Sequence, residues 1–495
     1  MKLLCGSVTK SAIRNESLIF IVILIFIFQG GCTRSKLCQL YEESNNKGHC
    51  TKIITEKYPS EPLEPNYHFI SYKCNQIILD KTHPNASNLR KYLKDNCFDK
   101  IDSCACGTSP FELWEFQNVD PIDVGTVVKS APRGEIIGDR SENGLLLNIV
   151  FDVSNPKPTT PAEKKDTFRT ISNCPNPSDT GIKIAIIDTG VDPTPDTTRN
   201  LLLRKNWLPY NDSSCFSNQN KFGLRIFTTS NQSRIPIYNE PLDSVGHGTS
   251  VNGVAVGASN PNFGIMAPLR FVNVGIFENG SNQGDLFHAF CGLNYALEQH
   301  PDIINISWGF KFNRDGDLKS MDSSISYAFN NFFRNASRQN IMIVAGIGND
   351  ASLISNNVRF YPACLASEHS NVISVGALDS NSTDIALFSN YCDASNPSVT
   401  LFTHGENIVA AFPENLQPSR DRTGAAYQSG TSFAVPLISR LVAIIKFNHP
   451  QIPNSNIKMY LESSAIIGSS QVRRSVRYKK LDINSILNLN ICNIP

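Results

Sequence analysis

The sequence has almost no excess of charge of either sign. Its 45 lysines and arginines balance 44 aspartates and glutamates, which gives a formal net charge of +1 over 495 residues. This balance gives no reason to expect nucleic acid or an acidic partner. Internal repeats and low-complexity tracts are also missing, so a repeat array is not expected. Because 41% of the residues are hydrophobic, the chain can still bury a sizeable core.

Long apolar runs are scarce, and the run near the N-terminus is short. Basic residues precede an unbroken apolar run at 18–28, and Gly30-Gly31-Cys32 follows. A membrane-spanning helix needs roughly 20 apolar residues. We therefore interpret residues 1–31 as a secretory signal peptide, with an uncleaved membrane anchor or lipidation of Cys32 as alternatives. The expected location is secreted or at the cell surface.

Cysteine usage agrees with export. Seven of the 14 cysteines lie between Cys38 and Cys174, and disulfides persist in oxidising compartments. Buried free thiols are the alternative. Cys97, Cys104 and Cys106 lack a second cysteine pair and a neighbouring histidine, so a zinc site is not expected there.

The chain changes character after a Pro- and Thr-rich stretch at 154–161 and a turn-rich patch at 172–178, and a domain boundary is placed between them. Beyond it, helical segments such as Asp285–His300 alternate with short β-branched runs at Ile182–Ile187, Phe271–Val274, Asp302–Ile306, Ile341–Ala345 and Val372–Val375. This alternation predicts an α/β fold, a three-layer sandwich with a mostly parallel central sheet. In such folds the active site lies at the carboxyl ends of the strands.

Four polar residues stand at predicted strand ends or helix starts. Asp188 ends one strand and Asn349 follows another, whereas His247 and Ser432 each open a helical stretch. Taken singly, each has an ordinary interpretation as a turn, cap or structural residue. Together they supply the carboxylate, oxyanion donor, base and nucleophile that acyl transfer by serine requires. The order Asp, His, Ser and the missing G-x-S-x-G sequence argue against an α/β-hydrolase.

Three segments resemble the motifs of the subtilisin-like serine protease family: Ile187-Asp188-Thr189-Gly190-Val191, Gly246-His247-Gly248-Thr249 and Gly430-Thr431-Ser432-Phe433-Ala434-Val435-Pro436. The resemblance covers about residues 178–468, within a predicted peptidase domain at 171–495. It implies a serine endopeptidase that hydrolyses polypeptides through an acyl-enzyme intermediate. Asp188, His247 and Ser432 would form its triad, with Asn349 as the oxyanion donor.

The resemblance also implies where substrate binds. The substrate would lie as an added strand against Ser307-Trp308-Gly309 and the glycines Gly346 and Gly348. Trp308 would either shape a pocket for an apolar substrate residue or belong to the core. No cofactor is required for the chemistry. Structural calcium is common in the family; Asp192 and Asp196 are candidate ligands, with solvated turn residues as the alternative.

Residues 32–170 form a cysteine-rich N-terminal region in the position of the propeptide that family members often carry. Its cysteine content suits a disulfide-bearing accessory module equally well. Near the C-terminus, residues 478–482 stand where the family has a glycine-rich strand signal. Whether a strand forms there is therefore not predicted. Rival functions are a non-catalytic binding protein on the same scaffold and another serine hydrolase such as an esterase.

Overall fold

The computed structural model describes residues 49–55, 67–104, 109–116, 124–131, 144–153, 181–192, 223–225, 243–257, 269–278, 280–314, 319–392, 399–417, 424–473 and 476–482. The predicted signal segment 1–31, both stretches that mark the domain boundary, and Asp196 lie outside these residues.

The elements follow one another along the chain as an N-terminal group and a longer C-terminal group. The helices are α1 (Ala86–Asp95), α2 (Val124–Ser130), α3 (His247–Val256), α4 (Leu286–Glu298), α5 (Lys319–Arg338), α6 (Thr431–Asn448) and α7 (Asn454–Ser464). The strands are β1 (His49–Thr55), β2 (Tyr67–Asp80), β3 (Phe98–Asp102), β4 (Phe111–Phe116), β5 (Leu145–Asp152), β6 (Ile182–Asp188), β7 (Gly223–Arg225), β8 (Leu269–Gly275), β9 (Gln283–Asp285), β10 (Ile303–Ile306), β11 (Phe310–Asn313), β12 (Met342–Gly346), β13 (Leu353–Ile354), β14 (Val358–Tyr361), β15 (Val372–Leu378), β16 (Tyr391–Cys392), β17 (Leu401–His404), β18 (Ile408–Ala411), β19 (Ala425–Gln428), β20 (Ile466–Ser469) and β21 (Arg477–Lys480).

The larger sheet is almost wholly parallel. Within the described residues its order is β20-β21-β17-β15-β12-β10-β6-β8-β7, and only the β20–β21 pair is antiparallel. The five strands predicted after the domain boundary are confirmed as β6, β8, β10, β12 and β15, and the predicted helix at 285–300 is α4. The strand near the C-terminus, which the sequence at 478–482 did not clearly predict, is also present. It is β21, and it pairs with β17 through Lys480 and Phe402.

Side chains on the two faces of this sheet enter different cores. On β6, Ile184 and Ile186 pack into the core that contains α3 and α6. Ala185 and Ile187 pack into the opposite core, which contains α4 and α5. Alternation along a strand buried on both faces produces this division, and the α/β fold is confirmed.

An antiparallel sheet organises residues 49–153, here called the N-terminal unit. Its order is β3-β4-β2-β5-β9, with β1 on β2, so its last strand belongs to the C-terminal group. The apolar run at 144–151 predicts β5, but the other strands of this sheet and their pairing were not predicted from the sequence. One reason is that the register of β2 against β5 shifts between Tyr72 and Ile77, which interrupts the alternation that marks a strand.

The N-terminal unit shares a core with α4 and α5. Phe111 of β4 stacks on Phe290 of α4, with ring centroids 4.3 Å apart. Cys104, after β3, forms a disulfide with Cys291 of α4, and their Cα atoms are 5.5 Å apart. The unit is therefore joined to the C-terminal group by packing, by strand pairing and by a covalent bond.

Helix α6 is the central apolar helix of the second core. All 18 of its residues are buried, including Ser432 near its start. Among the described helices, it alone is long and apolar enough to cross a membrane, but it packs under the sheet as a core helix.

Candidate active site

Asp188 and His247 form a buried pair at the carboxyl end of the sheet. Asp188 is the last residue of β6, and His247 is the first residue of α3. The imidazole Nδ1 lies 2.7 Å from Asp188 Oδ1, and both side chains are almost fully buried. Thr189 N donates a second hydrogen bond to the same carboxylate oxygen. A carboxylate held at Nδ1 places the ring proton there and leaves Nε2 as the basic nitrogen.

Ser432 lies at the start of α6, beside the histidine, with its hydroxyl turned away. Ser432 Oγ donates to the backbone oxygen of Ser307 at 2.9 Å. His247 Nε2 has no hydrogen-bond partner among the described residues. The ring of Phe433, the next residue, lies 5.4 Å from the imidazole centroid. The expected Ser432–His247 hydrogen bond is therefore not formed in this structure.

A buried polar network fixes the start of α6 on the end of β10. Pro436 is the sixth residue of α6. Because proline has no N–H, the carbonyl of Ser432 loses its partner within the helix. Ser307 Oγ donates to that carbonyl at 2.8 Å. Asn305 Nδ2 donates to Ser307 Oγ, and Ser439 Oγ donates to Asn305 Oδ1, both at 2.9 Å.

Asn349 contacts the start of α6. Its Oδ1 accepts a hydrogen bond from Thr431 N at 2.8 Å, which orients the amide. A Cβ added to Gly430, whose φ is +154°, would lie 3.2 Å from Asn349 Nδ2. A side chain at 430 would therefore crowd the Asn349 amide. The Asn349 Nδ2 and the N-terminal amides of α6 are donors suited to a developing oxyanion.

Asp243 is a site residue that the sequence analysis missed. It is 4% exposed. Its Oδ1 accepts from Thr189 Oγ1, Val245 N and Gly246 N, and its Oδ2 accepts from Thr249 N and Thr249 Oγ1. Asp243 thus connects the end of β6 to the turn that carries His247. Its only sequence signal, an acidic residue four positions before the histidine, is also typical of an ordinary turn.

One cavity of about 350 Å³ is lined by the predicted substrate-binding residues and by Asn349 and Ser432, but not by Asp188 or His247. Its lining includes Ser307, Trp308, Gly309, Gly346, Gly348, Asn349 and Ser432, together with residues 149–153 of the N-terminal unit. The predicted substrate-binding residues are thus brought to the same cleft as Ser432, and part of that cleft is occupied by this chain.

The occupant is the end of β5. It pairs antiparallel with β9, with Phe151 opposite Gly284. Val153 N donates to Asn282 O, and Asn282 Nδ2 donates to Val153 O, both at 3.0 Å. The end of β5 is therefore an added strand on β9 and forms one wall of the cleft.

The Phe151 side chain fills an aromatic pocket. It stacks on Trp308 with centroids 4.8 Å apart and meets Phe277 edge-on at 5.6 Å. Trp308 is only 3% exposed, so it is a largely buried residue that also forms a wall of this pocket. Burial agrees with the core interpretation of Trp308, whereas its contact with a substrate residue stays a prediction.

The N-terminal unit also contacts the start of α4 beside the cleft. Asp285 caps this helix by accepting from His288 N at 3.0 Å, and its Oδ1 lies 2.8 Å from the His288 ring. Burial alone would raise the pKa of Asp285, but the charge and hydrogen bonds of His288 outweigh burial and lower it. Asn148 Oδ1 of β5 accepts from Phe287 N at 3.0 Å, which satisfies another N-terminal amide of the helix.

The described residues do not test the predicted calcium site, because they include Asp192 but not Asp196. No group of three or more histidine, cysteine, aspartate or glutamate side chains suited to a metal occurs in that part of the chain. Asp192 is described, and its backbone N donates to Thr249 Oγ1 at 2.9 Å. Since Asp196 is not described, calcium binding stays a prediction.

Comparison with known proteins gives consistent matches over the C-terminal group. The model of the family described as "Subtilase family" matches residues 179–487. The "Major intracellular serine protease" of Bacillus subtilis (strain 168) is 29% identical over 54% of this chain and 68% of its own length. The "Thermophilic serine proteinase" of Bacillus sp. (strain AK1) is 31% identical over 42% of this chain and 44% of its own length. A solved lanthipeptide protease covers 62% of this chain and 87% of its own at 17% identity, with a TM-score of 0.45, too distant to bear on function.

Proposed function

Because this chain belongs to the subtilase family, a family of serine-type endopeptidases, we propose that it hydrolyses peptide bonds through Asp188, His247 and Ser432. The observation that carries this proposal is the buried Asp188–His247 pair, 2.7 Å apart, beside Ser432 at a helix start. The cleft lined by Ser432 and Asn349 also contains the end of β5.

In the proposed reaction, Ser432 Oγ attacks the carbonyl carbon of the scissile bond while His247 Nε2 takes its proton. The same imidazolium then protonates the leaving amine, and water repeats the two steps on the acyl-enzyme. Asp188 holds Nδ1 and stabilises the imidazolium. Asn349 Nδ2 and the backbone N–H of Ser432 stabilise the oxyanion.

The test is Ser432→Ala, compared with the parent protein after the N-terminal unit has been displaced. The parent should react with a fluorophosphonate probe and digest a peptide library, whereas Ser432→Ala should do neither. Labelling that persists in Ser432→Ala would identify another nucleophile. Hydrolysis of a nitrophenyl ester without cleavage of any peptide would favour an esterase.

For the N-terminal unit, we propose the role of an intramolecular inhibitor, the propeptide alternative of the sequence analysis. Support comes from β5, whose last residues line the cleft that contains Ser432 and pair with β9 as an added strand. N-terminal sequencing of mature protein tests this, since a new terminus near 170 is expected. A protein that remains uncut and fully active would favour an accessory module instead.

Substrate preference follows from the same contacts. Phe151 is enclosed by Trp308 and Phe277, so we propose that substrates place an aromatic or large apolar residue in this pocket. A peptide library digested by the mature protein should be enriched in such residues upstream of the cleaved bond. Equal cleavage of peptides with aspartate or glycine at every upstream position would contradict this preference.

We also propose secretion or display at the cell surface. The N-terminal apolar run and the Cys104–Cys291 disulfide support it, because disulfides persist in oxidising compartments. Fractionation of cells that express the full chain tests it, and a protein found only in the cytosol would contradict it.

A further inference from the structure

The Cys104–Cys291 disulfide joins two parts of the chain that proteolytic maturation would separate. Cys104 belongs to the N-terminal unit and Cys291 to α4, and 187 positions separate them. The segment between the described residues 153 and 181 lies inside this interval. A cut in that segment therefore leaves the two parts covalently bonded.

The disulfide lies inside the interface. Cys104 is 6% exposed and Cys291 is 1% exposed, and both belong to the core that the N-terminal unit shares with α4. Two neighbouring contacts also join the unit to α4: Asn148 of β5 accepts from the start of the helix, and Phe111 of β4 stacks on Phe290. The bond is thus positioned to hold the inhibitory unit on its own target surface.

We propose that this disulfide makes the N-terminal unit a covalently retained inhibitor, so that activation requires both a cut between 153 and 181 and reduction of Cys104–Cys291. This inference rests on the proposed peptidase function. The peptide chain and the Cys104–Cys291 bond each keep the unit at an effective concentration in the millimolar range, which does not fall on dilution. Breaking either one alone leaves the other in place.

The reductive step is thiol–disulfide exchange with a dithiol. One thiolate of the reductant attacks a sulfur of the Cys104–Cys291 bond and forms a mixed disulfide, releasing the other cysteine as a thiol. The second reductant thiol then displaces the remaining cysteine. The dithiol loses two electrons and becomes a disulfide, and Cys104 and Cys291 each end as a thiol.

The experiment uses the full chain with a recognition sequence for a site-specific protease placed within 162–170. Four samples are compared at high dilution: uncut or cut, each with or without dithiothreitol. Peptide hydrolysis and fluorophosphonate labelling are measured, and the same samples run on non-reducing and reducing gels. The rate of peptide hydrolysis should be about tenfold or more higher in the cut, reduced sample than in any of the other three at such dilution. The N-terminal fragment should separate only on the reducing gel.

The matched control is the double variant Cys104→Ser/Cys291→Ser. It should become active after the cut alone, and dithiothreitol should add nothing. If the double variant stays inhibited after the cut, this disulfide is not the retaining bond. If the cut, oxidised parent is fully active, or its fragments separate without reductant, the proposal of a covalently retained inhibitor is wrong. The proposed peptidase function is not affected by that outcome. If no sample labels or hydrolyses peptide, the peptidase function itself fails, and the gel still reports whether the fragments are bonded.

Discussion

His247 Nε2 is a buried basic nitrogen without a partner, and this single atom explains much of the site. It is enclosed because α3 begins at the end of β6, where Asp188 holds the other ring nitrogen. A buried polar atom without a hydrogen bond costs about 1–3 kcal/mol. In the proposed reaction that cost is recovered when the Ser432 hydroxyl or the leaving amine comes within reach. The resting contact of Ser432 with Ser307 has to be broken first.

Asn349→Ala tests the oxyanion role at the residue scale. Turnover of the activated protein should fall about 10²–10³-fold, the usual cost of one lost oxyanion donor. KM should change little, because Asn349 would act on the transition state rather than on the bound substrate. Steady-state kinetics on one substrate measures both constants. Unchanged turnover would remove Asn349 from the site.

Asp243→Asn tests a positioning residue. The amide would set an NH₂ group against N–H and O–H donors that now converge on a carboxylate. Displacement of the His247 turn should lower kcat about 10²-fold, since small shifts in reacting geometry are costly. KM should not change. The pH–rate profile should shift, because the position of His247 is disturbed. A loss of stability with unchanged kinetics of the folded fraction would show a purely structural role.

At the scale of elements, β5 combines a structural role with occupancy of the cleft. Its middle belongs to the sheet of the N-terminal unit, and its end pairs with β9 beside the site. The Phe151 contacts are therefore the part of this strand that a substrate would have to replace.

Phe151→Ala should loosen the strand and raise the basal activity of the uncut chain. Truncating a buried phenylalanine typically costs about 3–5 kcal/mol, so a large share of the cleft should open. Phe151→Leu, which keeps an apolar side chain, should have a smaller effect. Both are assayed for hydrolysis of a small peptide by the uncut, oxidised protein. Equal activity of all three proteins would mean that the pocket does not hold the strand.

Helix α6 carries a buried lysine in its last turn. Lys446 is 4% exposed, and its Nζ donates to Asn340 O at 2.9 Å. Burial lowers the pKa of Lys446 to about 8, and Asp302 opposes the shift. Between about pH 8 and its ordinary value the unfolded chain binds a proton that the folded chain does not. The contribution of Lys446 to the free energy of unfolding should therefore rise with pH across this window.

Lys446→Met removes this titration. In a Ser432→Ala background, which prevents autolysis, the variant should be more stable at pH 7 by up to about 3 kcal/mol. The difference in free energy of unfolding between the variant and the parent should be smaller at pH 10. Denaturant unfolding at both values measures the difference, with the exposed Lys94→Met as control. An advantage that does not change with pH would show that repacking, rather than charge burial, is responsible.

At the scale of the whole molecule, the N-terminal unit and the peptidase fold form one body through a shared core, a shared sheet and a disulfide. Ser432 is 6% exposed in this assembly. Fluorophosphonate labelling of the uncut, oxidised chain should therefore be slow and should accelerate after cutting and reduction. Fast labelling of the intact chain would show that the cleft is open.

The sequence by itself determined the parallel sheet and the identity of the four candidate groups. Short β-branched runs that alternate with amphipathic helices have few other structural interpretations than a parallel sheet. The four candidate groups, Asp188, His247, Asn349 and Ser432, lie at element boundaries that the local pattern predicts. Tertiary structure alone decided what depends on contacts between distant segments. These are the hydroxyl of Ser432 resting on Ser307, the convergence of five donors on Asp243, the bulged sheet of the N-terminal unit, the strand in the cleft and the pairing of Cys104 with Cys291. No local pattern encodes them, because a hydrogen bond or disulfide between remote residues depends on how whole elements pack.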